Sequence, residues 1–120
     1  SVISFTPILA PMRRGILATI SVKITSAQSS DSVRDMYRDF YKSSPFISVL
    51  DSGTMPKTSS VTGTNNAHIQ VAVDDHAQRL TVSIAIDNLG KGAAAQAIHN
   101  ANLMCGLDVT LGLKLNGIGA

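Results

Sequence analysis

The 120 residues make one domain's worth of chain, long enough for a single packed core. Charged side chains are only 15% of the total and the net charge is +2; apart from Arg13 and Arg14 the basic residues are scattered, so no basic stripe with interleaved aromatics speaks for nucleic acid. One cysteine excludes an internal disulfide and fits a reducing compartment, no apolar run approaches the ~20 residues of a membrane helix, and the opening residues do not read as a signal peptide. The chain opens SVISFTP, already strand-like and without Met, which leads us to expect a processed chain or one piece of a larger protein.

Val2 to Pro7 predicts a short strand, with Pro7 and Pro11 bracketing an irregular turn. The cleanest alternation follows. Ile16, Ala18, Ile20, Val22 and Ile24 face one way and are expected in the core; Leu17, Thr19, Ser21 and Lys23 face the other, toward solvent. A helix is expected from about Asp31 to Lys42. Its apolar stripe is Val33, Met36, Tyr37, Phe40 and Tyr41, its solvent side Arg34, Arg38 and Asp39, and Ser32 with Asp35 forms a weak capping box. Ser43, Ser44 and Pro45 stop it, and Phe46 to Leu50 reads as another short strand.

The polar segment from Asp51 to Ala67 is long for a loop in so small a domain, a property that usually marks function or mobility. A short strand is expected within it near Ser60–Thr62. Ile69, Val71 and Val73, then Leu80, Val82, Ile84 and Ile86, alternate on either side of a turn at Asp74 to Gln78, which predicts a hairpin. Its second strand feeds a short polar turn and an alanine-rich helix ending at Gly106, where a left-handed cap is expected. This Ser83–Gly106 stretch is the one around which the chain is organised. Its bare glycines, Lys91 and free N–H groups suit an anion or a polar cofactor, while the plainer reading is a helix packed tightly in a core. The glycine-rich tail after Gly106 is expected to be extended. The sum is an α+β domain: a mixed, largely antiparallel sheet with helices on one face.

Candidate chemistry is sparse. All eight acidic residues are Asp, and the three histidines, His68, His76 and His99, show no metal-ligand spacing. No dinucleotide fingerprint, P-loop or nucleophile elbow is present. Cys105 lies late in an apolar helix, the wrong end for a thiolate, and is expected to be buried and structural. The residues left are Arg14, which can clamp a carboxylate or phosphate in a fork; the 51–67 loop with Lys57, Thr64, Asn65 and Asn66; and the Asn88–Gly92 turn.

Four of these stretches resemble one family. SFTPILAPMRRGILATI at Ser4–Ile20, PFISVL at Pro45–Leu50, PKTSSVTGTNNAHI at Pro56–Ile69 and AIDNLGKGAAAQAIHNANLMCGL at Ala85–Leu107 are similar, in the same order, to segments of the N-acetyl-γ-glutamyl-phosphate reductases. Thr64 stands where that family commonly has Ser. The resemblance implies the C-terminal portion of an NADP-dependent reductase of arginine biosynthesis, reducing an acyl phosphate to a semialdehyde. The family's dinucleotide loop, nucleophilic cysteine and histidine would lie before Ser1, in a Rossmann domain that this chain does not contain, so no catalytic residue and no metal site is expected here. Residues 1–86 would be a substrate and dimerisation portion, 87–106 a helix closing on the absent domain, and 107–120 a tail. It implies Asn88 at the nicotinamide, with Lys91 and Gly92 beside it, and Arg14 and Asn65 toward the substrate. A cytoplasmic homo-oligomer without nucleic-acid or membrane partners is implied, with this chain inactive alone. The alternatives are a non-catalytic dimerisation scaffold, or the equivalent part of an aspartyl- or aminoadipyl-phosphate reductase.

Overall fold

The computed structural model describes residues 2–113. Four strands and two helices follow one another as β1 (Ile16–Lys23), α1 (Ser30–Tyr41), β2 (Ile47–Val49), β3 (Ala67–Asp74), β4 (Arg79–Ile86) and α2 (Ala95–Met104). They form one sheet of order β1-β4-β3-β2. The hairpin β3–β4 and the pair β1–β4 are antiparallel, and β2 runs parallel to β3. The α+β class with a mixed, largely antiparallel sheet therefore holds.

Register explains where the core lies. Ile69 stands opposite Ile84, Val71 opposite Val82 and Val73 opposite Leu80, so the alternation of both strands puts six apolar side chains on one face. Helix α1 covers that face. Val33 joins Ile69, Val71 and Val82 in the buried cluster, with Tyr37 and Tyr41 packed against it. The helix is capped by Ser29, whose hydroxyl accepts from the Ser32 N–H at 3.0 Å, rather than through Ser32 and Asp35 as expected.

Several expectations are corrected. Val2–Pro7 is not a strand: among the described residues no segment pairs with it, and Val2, Ile3, Phe5, Ile8 and Leu9 are exposed along an arm. The stripe of α1 is only half buried, with Met36 and Phe40 in solvent, because the helix lies over β2 and β3 and its outer rows meet nothing. Arg34 is buried, paired with Asp31, rather than solvated. Ser60 and Val61, expected in a strand near Ser60–Thr62, belong to a 3-10 turn, Thr58–Val61, that buries Val61 and is capped by Thr62.

Strand β1 is the largest departure. Its register, Ala18 opposite Ile84 and Ile20 opposite Val82, places its apolar residues on the same face as the core. Yet α1 does not reach them, and Ile16, Ile20 and Val22 stay exposed. The opposite face, expected to be solvated, is covered over β3 by the 51–57 loop. There Gln70 is buried and its Nε2 donates to the carbonyls of Asp51 at 2.6 Å and Thr54 at 2.8 Å.

The last helix is exposed along its alanines, with only Asn102 buried, so it is not the tightly packed core helix of the plainer reading. It ends as expected. Gly106 has φ +65°, and the Leu107 N–H reaches back to the Asn102 carbonyl at 2.9 Å. Cys105 is exposed rather than buried, because it caps α2, a helix in which only Asn102 is buried. Residues 107–113 fold into a turn fastened by Asn102 Nδ2 on the Leu111 carbonyl, not an extended tail, while residues 114–120 lie outside the described part.

The uneven cover makes a direct prediction. Val71→Ala, in the covered centre, is expected to cost about 2 kcal/mol, whereas Ile20→Ala on the open strand costs under about 1 kcal/mol, as read by urea unfolding midpoints.

Candidate functional site

Strand β4 delivers Asp87 at its C-terminal end, fully buried. A side chain from before β1, a backbone N–H of the 62–66 loop and one from the turn that follows meet on its carboxylate. Arg14 grips it as a fork, with Nε on Oδ1 and Nη2 on Oδ2, both at 2.7 Å. The Gly63 N–H donates to Oδ2 at 2.5 Å and the Leu89 N–H to Oδ1 at 2.9 Å. Next to it, Asn88 Oδ1 accepts from the Gly15 N–H at 2.7 Å, fastening the arm a second time. Burial by itself would push the Asp87 carboxyl up. The hydrogen bond from Arg14, then those from the backbone of Leu89, Gly63 and Gly90, outweigh it and hold the pKa at about 2.

Two glycines make this meeting possible. Gly15 has φ +105°, and a Cβ there would stand 2.5 Å from the Thr58 Cβ. At Gly90 a Cβ would stand 2.4 Å from the Thr64 carbonyl oxygen, so the turn after Asn88 lies backbone to backbone against the 62–66 loop. The chain does not enter α2 directly. It first makes one π-type turn, Gly90–Ala94, in which the Gly92 N–H reaches the Asp87 carbonyl at 2.8 Å and the Ala94 N–H the Leu89 carbonyl at 3.2 Å. Such widened turns recur at functional sites.

Asn65 sits in the same loop, 1% exposed, and neither its Oδ1 nor its Nδ2 has a partner. Its neighbour Thr64 is buried but satisfied, donating to the Val61 carbonyl at 2.8 Å. A buried amide with both ends unpaired costs free energy of about 1–3 kcal/mol per group. Asn65 is therefore the polar side chain here with most to gain from a ligand.

The expected site residues thus fall into two groups. Arg14, Asn65, Asn88 and Gly92 belong to segments gathered around Asp87. Lys91 lies elsewhere: its ammonium stands over the Phe46 ring, 5.7 Å from the centroid, in a separate cleft. Arg14 spends two of its donors on Asp87. Asp87 itself was passed over in the sequence because an Asp after a strand reads as a helix start. The signal that could have found it is Arg14 with Gly15 preceding one strand and Asp87 with Asn88 ending another.

The semialdehyde dehydrogenase dimerisation domain model matches residues 1–88. This chain belongs to that family. As members of known function, the N-acetyl-γ-glutamyl-phosphate reductases of Corynebacterium diphtheriae, Saccharopolyspora erythraea and Streptomyces clavuligerus are 46%, 49% and 48% identical to it over 97–98% of its length. The chain spans about a third of those relatives (34% of each). The resemblance read from the four motifs is borne out. In fold, this dimerisation domain is similar to the crystal structure of aspartate semialdehyde dehydrogenase II from Vibrio cholerae, with a TM-score of 0.63 at 21% identity over 78% of this chain and 28% of that one. Among the described residues, no helix is long and apolar enough to cross a membrane, and no His, Cys, Asp or Glu group has the arrangement to hold a metal ion.

If Asp87 fastens the site, Asp87→Ala leaves the buried Gly63 and Leu89 donors unpaired and should cost about 2–4 kcal/mol in urea unfolding. The carboxyl's native pKa is depressed, so its contribution is present above the ordinary Asp value and is lost as pH falls through about 2. Asp87→Asn is accordingly expected to flatten the decline in stability between about pH 4 and pH 2 that the unsubstituted protein shows.

Proposed function

We propose that this chain is the substrate- and subunit-contacting part of an NADPH-dependent reductase that converts N-acetyl-L-glutamyl 5-phosphate to the semialdehyde. The observation that carries the reading is the convergence on Asp87. PMRRG, VTGTNN and AIDNLGKG, three of the stretches that resemble the reductases, are far apart in sequence and meet at one carboxylate. The reductase relatives, 42–49% identical, support the same substrate class. The third reading, a reductase of aspartyl or aminoadipyl phosphate, gains nothing from the fold neighbour, which at 21% identity speaks for the fold alone.

In this reading residues 1–86 carry scaffold and substrate contacts, and the segment from Asp87 to Gly106 closes on a cofactor domain outside these residues, in the cytoplasm. The residues present fit a nicotinamide. Asn88 spends its Oδ1 on Gly15, which leaves its Nδ2 to donate to a carboxamide carbonyl, and Gly92 beside it keeps the turn tight, since a Cβ there would stand 3.3 Å from the Asp87 carbonyl oxygen. When bound, the cofactor supplies the hydride. Arg14, held by Asp87, keeps Nη1 for an anionic substrate group, and Asn65 offers the unpaired amide of the loop.

In this reading the nucleophilic cysteine of the family reaction is not Cys105, which caps the C-terminal end of α2 and, among the described residues, has no basic side chain bonded to its sulfur. The 120 residues alone are therefore expected to oxidise no NADPH with the acyl phosphate, whereas the full-length protein containing them does; turnover by the short chain would overturn the reading. In the full-length protein, Asn65→Ala should lower kcat/KM by at least about tenfold with little loss of stability, since it removes no hydrogen bond within the chain.

The open face of β1 favours a subunit contact as well. Ile16, Ile20 and Val22 form an exposed apolar row continuous with the core, in a domain whose family is described as a dimerisation domain. Paired Ile20→Asp and Val22→Asp substitutions are expected to convert a homo-oligomer to monomer in analytical ultracentrifugation.

A further inference from the structure

Strand β1 forms one edge of the sheet, and none of its residues is buried. Just beyond it, the Ile24 N–H donates to the carbonyl of Gln78, the residue that enters β4, at 3.1 Å. In an antiparallel ladder the residues that bond one neighbour alternate with those that turn their N–H and C=O away from it. Ile16, Ala18, Ile20 and Val22 therefore bond to β4, while Leu17, Thr19, Ser21 and Lys23 direct their backbone groups to the free edge. Among the described residues these groups meet a single contact, a long one of 3.4 Å from Arg79 Nη2 to the Ser21 carbonyl.

Proteins usually blunt such an edge with a short strand, a proline, a bulge or charges. The other edge follows that rule, since β2 is three residues long and comes shortly after Pro45. Strand β1 does not. It runs for eight residues, its register with β4 has no bulge, and its one charged residue, Lys23, stands at the last position. Such an edge is complementary to a second copy of itself. In a two-fold pair the strands run antiparallel, so each Lys23 meets the far end of the partner strand and not the other Lys23. The axis then stands normal to the sheet, which keeps the two rows of Ile16, Ile20 and Val22 on one face and side by side. A family described as a dimerisation domain, matched over residues 1–88 and so across β1, favours a second copy over an unrelated strand.

We propose that two copies join through the free edges of β1, antiparallel about a two-fold axis, so that two four-stranded sheets run on as one. The proposal rests on the subunit contact argued above and gives it a geometry. Main-chain pairing around Leu17, Thr19 and Ser21 carries the contact, and the apolar rows add to it.

The test is residue-resolved amide hydrogen exchange of the full-length protein at concentrations above and below its dissociation midpoint. The Thr19 and Ser21 amides are expected to exchange at least about tenfold more slowly in the dimer than in the monomer. Thr19→Pro removes an N–H that β4 does not use and sets a ring at the edge. It should weaken dimerisation by at least about tenfold in analytical ultracentrifugation, while Thr19→Val retains it. Slow exchange at Ile20 in Thr19→Pro shows that β1 still pairs with β4. Fast exchange at Thr19 and Ser21 in an intact dimer would overturn the edge pairing and leave the subunit contact standing. Slow exchange there in the monomer would overturn it too, because a strand of the same chain would then hold the edge. A full-length protein that is monomeric at every concentration would overturn both readings.

Discussion

A single buried carboxylate holds one end of this domain's sheet together. Asp87 leaves water entirely, which is costly for a charged group, and the structure compensates by surrounding it with donors: a forked guanidinium and backbone N–H groups from two loops. Removing one partner would strand the others, so the arrangement is cooperative. It fixes the arm before β1, the loop after the 3-10 turn and the turn before α2 relative to one another. Close backbone approach at Gly15 and Gly90 is the steric counterpart of that electrostatic knot.

The rest of the molecule is less complete. A four-stranded sheet has been given one helix that covers two of its strands, and β1 carries apolar residues that continue the core into open solvent. Asn65 repeats the theme on the polar side: a buried amide without partners is as unusual as an exposed row of isoleucines. Both features fit a chain of the dimerisation-domain family. They are also compatible with a chain that spans about a third of its relatives.

Much of this was legible in the residues. The hairpin could be read because Ile69, Val71 and Val73 and then Leu80, Val82, Ile84 and Ile86 alternate without interruption, and period two has one structural meaning. The α1 helix could be read from its period of 3.6, but not its depth, since periodicity shows which side is apolar and not whether a neighbour reaches it. That is why Met36, Phe40 and β1 were expected inside. The arm failed for the same reason: a run such as Val2–Phe5 has strand propensity, but a strand needs a partner, and pairing is a tertiary fact. The site motifs were visible as strings, and the structure brings the segments that carry Arg14, Asn65 and Asn88 together. Their organiser, Asp87, was not visible, because a salt bridge across 73 residues leaves no local pattern.

The topology also sets an order of assembly. The β3–β4 hairpin is a local structure closed by a turn of a few residues, and β2 joins it through the intervening 51–66 loop. Strand β1 must come from far earlier in the chain to pair with β4, so the loop-closure entropy is largest there. Asp87 stands at the very end of the hairpin and Arg14 just ahead of β1. Their ion pair can therefore form only once the longest loop has closed, and it acts as a latch on the last step of folding. A nascent chain would carry its hairpin formed and its Asp87 carboxylate hydrated until that step.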